Sequence, residues 1–546
     1  MNIMSQVIRA LAWTVLCGSA AGQTSQVERF RTDGGNGISI VEEFRLTDTE
    51  AGRRLNGEVE VRQGTNVVTR KYRQTMTQDW QPVEYALTQV RANQERSLSL
   101  TCENGTARLR GGPKGDREEK AGSDFVILDN GVAAHTQILL HRWRAAKGLR
   151  NWTVAIPQGS LFLPGVLTEE GKAQGTLEGR PMDLQVYALE VAGQRIEISA
   201  EASTNRLMRV AEPFQSVETL REGFAPAPAV SAAPPPCEET AVKFGDPAAP
   251  LPGTLCLPHR NSGKHAAVVF VHGSGEADRD MTAGPNKFFR DLAYGLAAAG
   301  VASLRYDKRT FAYPETASRV GITLDREVVD DAIAAIELLH QHPRIDGERV
   351  FVAGHSLGAM LAPRIAQRAA PQNRLRGILM LGPGARPFDQ LALEQTETQS
   401  RQLRRSEEDI RAHLASLRAF FGRLRAGQVD ERETLLEAPA TYWRELLEID
   451  VAAELRNAPL PVFVAHGGKD IQVGRADHDI LLAVLRERRM KLDQAEWLPE
   501  HNHLFMKFDG AATAAAYGRR GTVDPALIGR IAKWIAQCGA APWDKT

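Results

Sequence analysis

Between His265 and Gly467 the chain repeatedly produces short apolar runs: "HAAVVFV", "VASLRY", "RVFVA", "GILML" and "PVFVA". A run without polar alternation is the signature of a strand covered on both faces. The stretches between them, such as "NKFFRDLAYGLAAAG", "LDREVVDDAIAAIELLHQ" and "LGAMLAPRIAQRAA", carry apolar residues at helical spacing. In the second of these, Val328, Val329, Ile333 and Ile336 share one side. Alternation of this kind predicts a mostly parallel sheet with helices on both faces. Ligands of such a sheet bind in the crevice at the carboxyl ends of its strands, which is where the chemistry should be sought.

A second constraint splits the 546-residue chain. "APAPAVSAAPPP", 225–236, is a Pro/Ala linker, stiff and unable to enter a core. Before it, 27–224 reads as a β-rich antiparallel domain. "LNGEVEVRQ", "VVTRKYRQTM" and "EYALTQVRA" alternate apolar and polar residues, and "DLQVYALEVAGQRIEISAEAS" reads as a hairpin turning at Ala192-Gly193. One short helix is expected where Ile138, Leu139, Arg142 and Trp143 fall at helical spacing. No catalytic constellation appears there, and the domain reads as a binding or packing module. After the linker, 237–546 holds the parallel sheet. Residues 387–457 interrupt it with a segment too long for a plain loop, in which Ile410, Leu414, Leu417, Phe421 and Leu424 repeat at helical spacing. Such an insertion reads as a helical cap over the site, with Phe420 and Phe421 in its core.

The N-terminus has a leader's layout: Arg9, then the apolar stretch from Leu11 to Leu16, then small residues to Gly22. Residues 1–22 are therefore expected to be a cleaved signal peptide, placing the chain outside the cell or in the periplasm. The apolar part is too short to span a bilayer, so stable membrane insertion is not expected. Cys17 raises a lipoprotein alternative, which the larger Val15-Leu16 before it disfavours. Cys237 and Cys256 lie near each other and either bridge in an oxidising compartment or stay as buried thiols. With 67 basic and 67 acidic residues the net charge is zero, which gives nucleic acid no electrostatic footing and favours a small-molecule substrate.

"VFVAGHSLGAM" places Gly354-His355-Ser356-Leu357-Gly358 between an apolar strand and an amphipathic helix. This G-x-S-x-G pattern in that setting predicts a nucleophile elbow with Ser356 exposed at the helix start. A hydroxyl needs a base, and the base needs an orienting acid. In chain order, "GGKDIQV" supplies Asp470 after a buried strand, with Asp477 as its rival. "EHNHLF" supplies His503, with His501 as its rival. His466 comes too early in the chain, and His355 is expected to pack beside the serine. Two backbone N–H groups complete the arrangement as an oxyanion hole: Leu357 after the serine, and Ser274 in "VHGSGEADRD". Tyr442 and Trp443 in the cap are candidate substrate-lining residues. Asp307, Lys308 and Arg309 read as a salt-bridge network rather than a charged-substrate site. No cysteine nucleophile, metal cluster or cofactor motif accompanies the set.

With "HGSGEADRD", "RYDKR", "GHSLG", "GGKDIQV" and "HNHLF" in this order, residues from about 240 to 540 resemble the bacterial α/β-hydrolase superfamily, close to secreted two-domain carboxylesterases. Glu276 stands where that pattern has proline. The resemblance implies an α/β-hydrolase fold, a triad of Ser356, Asp470 and His503, no metal or cofactor, and cleavage of carboxylic esters. It supports His503 over His501 as the base. Three alternatives remain. A serine peptidase on the same fold would need an acidic anchor such as Glu394, Glu397 or Glu448. A thioesterase is the second, and a non-catalytic binding protein the third.

Overall fold

The computed structural model describes residues 27–540 except 34–37, 64–65, 93, 192, 214–216, 228–234, 260–262, 315–321, 371–374, 403–404, 406, 431–432, 436–437 and 511. The expected leader and the middle of the Pro/Ala linker lie outside the described residues.

The second half of the chain builds an eight-stranded sheet. In spatial order its strands are Cys237–Phe244, Leu251–Pro258, Ala302–Tyr306, His265–Val271, Ile345–His355, Gly377–Leu381, Val462–Gly467 and Gln494–Leu498. The first two are antiparallel to their neighbours and the rest are parallel. Every residue of His265–Val271, Ala302–Tyr306 and Gly377–Leu381 is buried, as their unalternating sequences require. Helices Asp330–Gln341, Leu357–Ala369 and Arg475–Arg488 bury their apolar sides in the core on one face. Phe288–Ala298 and Pro525–Ala540 cover the other. Cys237 and Cys256 form a disulfide between the two antiparallel strands.

The interruption between Gly377–Leu381 and Val462–Gly467 folds as helices Phe388–Gln402, Glu407–Arg425, Ala440–Glu448 and Val451–Arg456. Leu417, Phe420, Phe421 and Leu424 form a small core of their own with Val429 and Ala440. The last helix belongs to the main body, because Val451 and Leu455 enter the core of the large sheet. Among the described residues no helix is long and apolar enough to cross a membrane.

The first half forms one sixteen-stranded sheet. Its path runs from Arg117–Lys120 backward through the chain to Glu28–Asp33, then from Val217–Arg221 backward to Phe125–Ile127. The two end strands of that path are joined by residues 121–124 alone. So short a link spans at most roughly 18 Å, and the sheet must curl until its edges approach. All its pairings are antiparallel except that of Phe125–Ile127 with Asn151–Ile156, whose crossover is the helix Ala133–Ala145. The sequence predicts a helix lying against a sheet; instead the sheet wraps it. Every residue from Ala133 to Leu140 is buried, so the helix has no polar face for sequence periodicity to report.

A helix in that position must satisfy its first N–H groups internally. Glu42 does so: its carboxylate accepts from Ala133 N–H at 2.7 Å, from Ala134 N–H at 3.3 Å and from the Tyr72 hydroxyl. Burial pushes the Glu42 carboxyl up to about 7, against the lowering effect of these donors. The folded state therefore holds a proton that the unfolded chain releases near 4.5. Stability from this group is present below the unfolded value and is lost as pH rises through the folded one. Asp129, also raised by burial, acts in the same direction. Denaturant unfolding followed from pH 5 to pH 8 should show a decline of at most about 1.4 kcal/mol per pH unit from Glu42. Glu42→Gln should remove that share, and equal slopes for variant and wild type would refute it.

Candidate active site

Ser356 sits between strand Ile345–His355 and helix Leu357–Ala369 with φ +52° and ψ −118°. A positive φ is costly for a residue with a side chain and persists only where neighbours impose it. Here the Ser356 N–H donates to the Leu381 carbonyl at 2.9 Å, and its own carbonyl accepts from Ala359 and Met360 at 2.9 and 3.0 Å. Both flanks require glycine. A Cβ on Gly354 would collide with the Gly358 carbonyl, and one on Gly358 with the carbonyls of Val271 and His272. The turn is a sharp strand-to-helix elbow.

Two later loops cross beside it. The Gly467-Gly468 pair ends strand Val462–Gly467, and the chain after strand Gln494–Leu498 passes directly over it. Gly468 N–H donates to Leu498 O at 2.7 Å and Lys469 N–H to His501 O at 2.8 Å. A Cβ on either glycine would strike the backbone between Pro499 and Asn502. The crossing brings His503 Nδ1–H within 2.5 Å of Asp470 Oδ2, with both side chains buried. The other oxygen of Asp470 accepts from the N–H groups of Gln472 at 2.7 Å and Val473 at 3.1 Å. Gly382, at φ +63°, leaves room for the ring: a Cβ there would lie 3.0 Å from His503 Cε1. Nothing in the "LGPG" sequence identifies that glycine as a histidine's neighbour.

Ser356 and His503 line one cavity of about 400 Å³ together with Gly273, Ser274 and His355. His503 Nε2, turned away from the aspartate, is buried without a hydrogen-bond partner among the described residues. The serine–histidine bond is thus not formed here; in serine enzymes without substrate this contact is commonly long and tightens on binding.

The rival residues have other partners. His501 Nε2 pairs with Asp524 at 2.8 Å. Asp477 holds the start of helix Arg475–Arg488 and the Ala385-Arg386 backbone, and is gripped by the Arg386 guanidinium. His466 Nε2–H donates to Pro383 O at 2.8 Å, and burial pushes this histidine down to about 4. His355 lies with its ring 4.4 Å from that of His503, and its Nε2–H donates to the His503 carbonyl at 2.9 Å. Tyr442 and Trp443 do not line the cavity. The Tyr442 hydroxyl is buried on Glu327 at 2.7 Å, and the Trp443 indole N–H donates to Leu435 O at 2.9 Å while its ring packs on Phe388 and Phe421. Both sit on the cap helix Ala440–Glu448 and pack inward, against Glu327 and the cap core, rather than forming a ligand wall.

Residues 268–516 match the Alpha/beta hydrolase family. Esterase EstD of Thermotoga maritima is 35% identical over 357 residues, covering 65% of this chain and 80% of that protein. The chain belongs to the alpha/beta hydrolase family. A shorter match, 36% identical over 83 residues, joins 15% of the chain to 28% of the polyketide transferase ATR5 of Stachybotrys chlorohalonatus. Among solved structures, Est1E from Butyrivibrio proteoclasticus aligns with 15% identity and a TM-score of 0.35, covering 55% of this chain and 99% of that one.

In this hydrolase the loop after strand His265–Val271 approaches the serine closely: a Cβ on Gly273 would lie 3.1 Å from Ser356 Cβ. Lys308 sits behind that loop, 2% exposed, and its ammonium donates to Gly273 O at 2.9 Å and Gly275 O at 3.0 Å while pairing with Glu327 at 2.9 Å. No described peptide bond is cis. In a trans peptide the carbonyl and the next N–H point in opposite directions. Turning the Gly273 carbonyl onto Lys308 therefore turns the Ser274 N–H away from the lysine. Leu357, the first residue of its helix, has an N–H without an intrahelical partner. Both are the N–H groups that the sequence singled out. Asp307 and Arg309 form the structural pairs expected of them, with Arg279 and with Asp331. Lys308, grouped with them in sequence, instead braces the loop beside the serine.

Lys308→Met should lower hydrolytic kcat about 100-fold with KM little changed, in the range seen when one oxyanion donor is lost. Because the change leaves Glu327 buried without its cation, Lys308→Met combined with Glu327→Gln is the matched control for folding. Unchanged kcat in a folded double variant would show that the brace has no bearing on turnover.

Proposed function

We propose that the protein hydrolyses carboxylic esters through an acyl-enzyme on Ser356. The observation that carries this reading is the pairing of His503 Nδ1 with Asp470 while Nε2 stays free in the cavity that holds Ser356. The esterase EstD relative supports the same substrate class. In the first step Ser356 Oγ bonds to the ester carbonyl carbon as His503 Nε2 takes the hydroxyl proton. The carbonyl electron pair moves to oxygen, where the N–H groups of Leu357 and Ser274 receive it. The pair returns, the C–O bond to the alcohol breaks, and His503 gives its proton to the departing oxygen. Water then repeats the sequence on the acyl-enzyme and releases the acid. Asp470 holds the imidazole in the tautomer that presents Nε2 as acceptor and stabilises its charged form.

Three features weigh on the alternatives. No Asp, Glu, Lys or Arg lines the cavity among the described residues, which leaves a peptide's terminal amine without an anchor. Glu394 and Glu397 are engaged on the surface by Arg386 and Arg401. The strain held at Ser356 has no use in a protein that only binds. The Cys237–Cys256 disulfide suits an oxidising compartment, which supports export by the N-terminal leader.

Ser356→Ala should abolish turnover of 4-nitrophenyl acetate and labelling by a fluorophosphonate probe. Asp470→Asn should keep the fold and lower kcat by roughly 10³–10⁴-fold, since an amide can hold the ring in the wrong tautomer. Residual activity of Ser356→Ala near the wild-type level would end the assignment.

A further inference from the structure

The cavity is shared between the two halves of the chain. The hairpin of strands Arg180–Val191 and Gln194–Glu201 leans on the segment Ala514–Gly518. Arg195, gripped by Glu170, packs against Gly518, where a Cβ would lie 3.0 Å from the arginine Cβ. Glu190 pairs with Arg519 at 3.2 Å. This docking carries the hairpin tip, Gly193 and Gln194, into the wall of the cavity. Tyr517, in the segment it leans on, accepts from the His503 N–H at 3.4 Å, so the tip stands on the histidine side.

The cap supplies the neighbouring wall. Gln395, Thr398 and Gln399 lie on one face of helix Phe388–Gln402 and line the same cavity. Gln395 Nε2 donates at 2.9 Å to the carbonyl of Gln472, two residues beyond Asp470, which ties this wall to the histidine side as well. The side chains of Gln194 and Gln399 have no hydrogen-bond partner among the described residues. On the serine side the lining is apolar: Met281 lies against the Gly273 turn, with Ala283 beside it.

We infer that the histidine side of this cavity, built by Gln194 of the N-terminal domain with Gln395 and Gln399 of the cap, is a subsite for an uncharged, hydroxyl-rich alcohol such as a monosaccharide. The inference rests on the ester-hydrolase reading and adds the substrate class to it. His503 must protonate the departing oxygen, so the leaving alcohol occupies its side of the site. There Ile471 and Leu504 supply apolar wall and the polar side chains include the amides of Gln194, Gln395 and Gln399, each presenting a donor and an acceptor, with no full charge. That is the complement of a sugar hydroxyl, which also gives one bond and takes another. A hydrocarbon alcohol packed against the tip would leave the Gln194 amide without a partner, a cost that disfavours it against a sugar. A charged leaving group would find no counter-charge. The volume of about 400 Å³ lies within the roughly 300–1,000 Å³ of small-molecule pockets. The apolar serine side suits a short acyl chain.

Three acetates with one acyl group test this on the full chain: methyl 6-O-acetyl-glucopyranoside, hexyl acetate and 4-nitrophenyl acetate. Wild type should show kcat/KM at least 10-fold higher for the sugar ester than for hexyl acetate. Gln194→Leu should lower that ratio at least fivefold, chiefly through KM for the sugar ester, and Gln399→Leu, on the exposed cap face, should do the same if the hairpin variant fails to fold. A wild-type ratio at or below one, or a ratio that neither folded variant moves, overturns the inference. Turnover of 4-nitrophenyl acetate alongside such a result leaves the ester-hydrolase reading standing. If none of the three esters is cleaved and Ser356 ignores a fluorophosphonate, both fall together.

Discussion

The contact between Asp470 and His503 depends on two glycines that have no side chain to offer it. Gly467 and Gly468 let the loop after one strand lie under the backbone that follows the next, and the crossing sets the two side chains beside each other. A carboxylate removed from water is stable only when its oxygens are occupied. One oxygen of Asp470 takes two backbone N–H groups and the other takes the imidazole. Once the histidine is fixed by that bond, by the His355 donor to its carbonyl and by the space at Gly382, the position of the serine elbow alone decides whether the site is complete. The elbow is fixed in turn by the parallel sheet, because Gly358 closes against the end of the neighbouring strand His265–Val271 while Gly354 closes against Gly358.

How much of this was legible in sequence follows from the range over which each feature acts. Strands buried on both faces announce themselves locally, so the order of apolar runs and amphipathic stretches was enough for the doubly wound sheet. The elbow was legible for the same reason, since Gly354, Ser356 and Gly358 sit within one turn. Tyr442 and Trp443 misled because an aromatic residue in an inserted helix can face a core as readily as a ligand; here Trp443 faces the cap core and Tyr442 a buried carboxylate. The helix Ala133–Ala145 was visible but not its wrapping, because alternation specifies a strand's two faces and says nothing about closure of the sheet. Lys308 was hidden by its neighbours in "RYDKR": it reads as one of three charges, whereas two of its partners are backbone carbonyls, which no sequence pattern displays. Gln194 was legible as a turn residue only, its place in the cavity being set by the docking of Arg195 on Gly518.

That docking bears on why a β-rich domain accompanies a hydrolase at all. The sheet that wraps Ala133–Ala145 has a hydrophobic core of its own. Its hairpin packs Tyr187, Leu189, Val191 and Ile198 into that core, and beside its tip an arginine whose guanidinium is held by Glu170 covers Gly518 with its stem. Such an anchor fixes the tip in place, and the tip residue it fixes is an amide with no structural partner. On the proposed reading, a wall supplied by the β-rich half can vary without disturbing Ser356, Asp470 and His503, which would keep substrate selection and bond cleavage on different parts of one chain.

The remaining step concerns charge. During the proposed reaction a positive charge develops on His503, and other histidines lie close by in the same core. His355 is nearest, and burial together with the His503 charge holds it well below the ordinary histidine value. Burial pushes His272 down to about 3 and His466 to about 4. All three spend Nε2–H as a donor to a backbone carbonyl, of His503, Asp278 and Pro383 respectively, so each has a structural bond that the neutral ring can make. At neutral pH none of them opposes the imidazolium, and among the described residues no charged side chain lines the cavity to screen it. The carboxylate of Asp470 is then the closest full charge that the imidazolium meets. In so dry a setting that one attraction is far stronger than it would be at a surface.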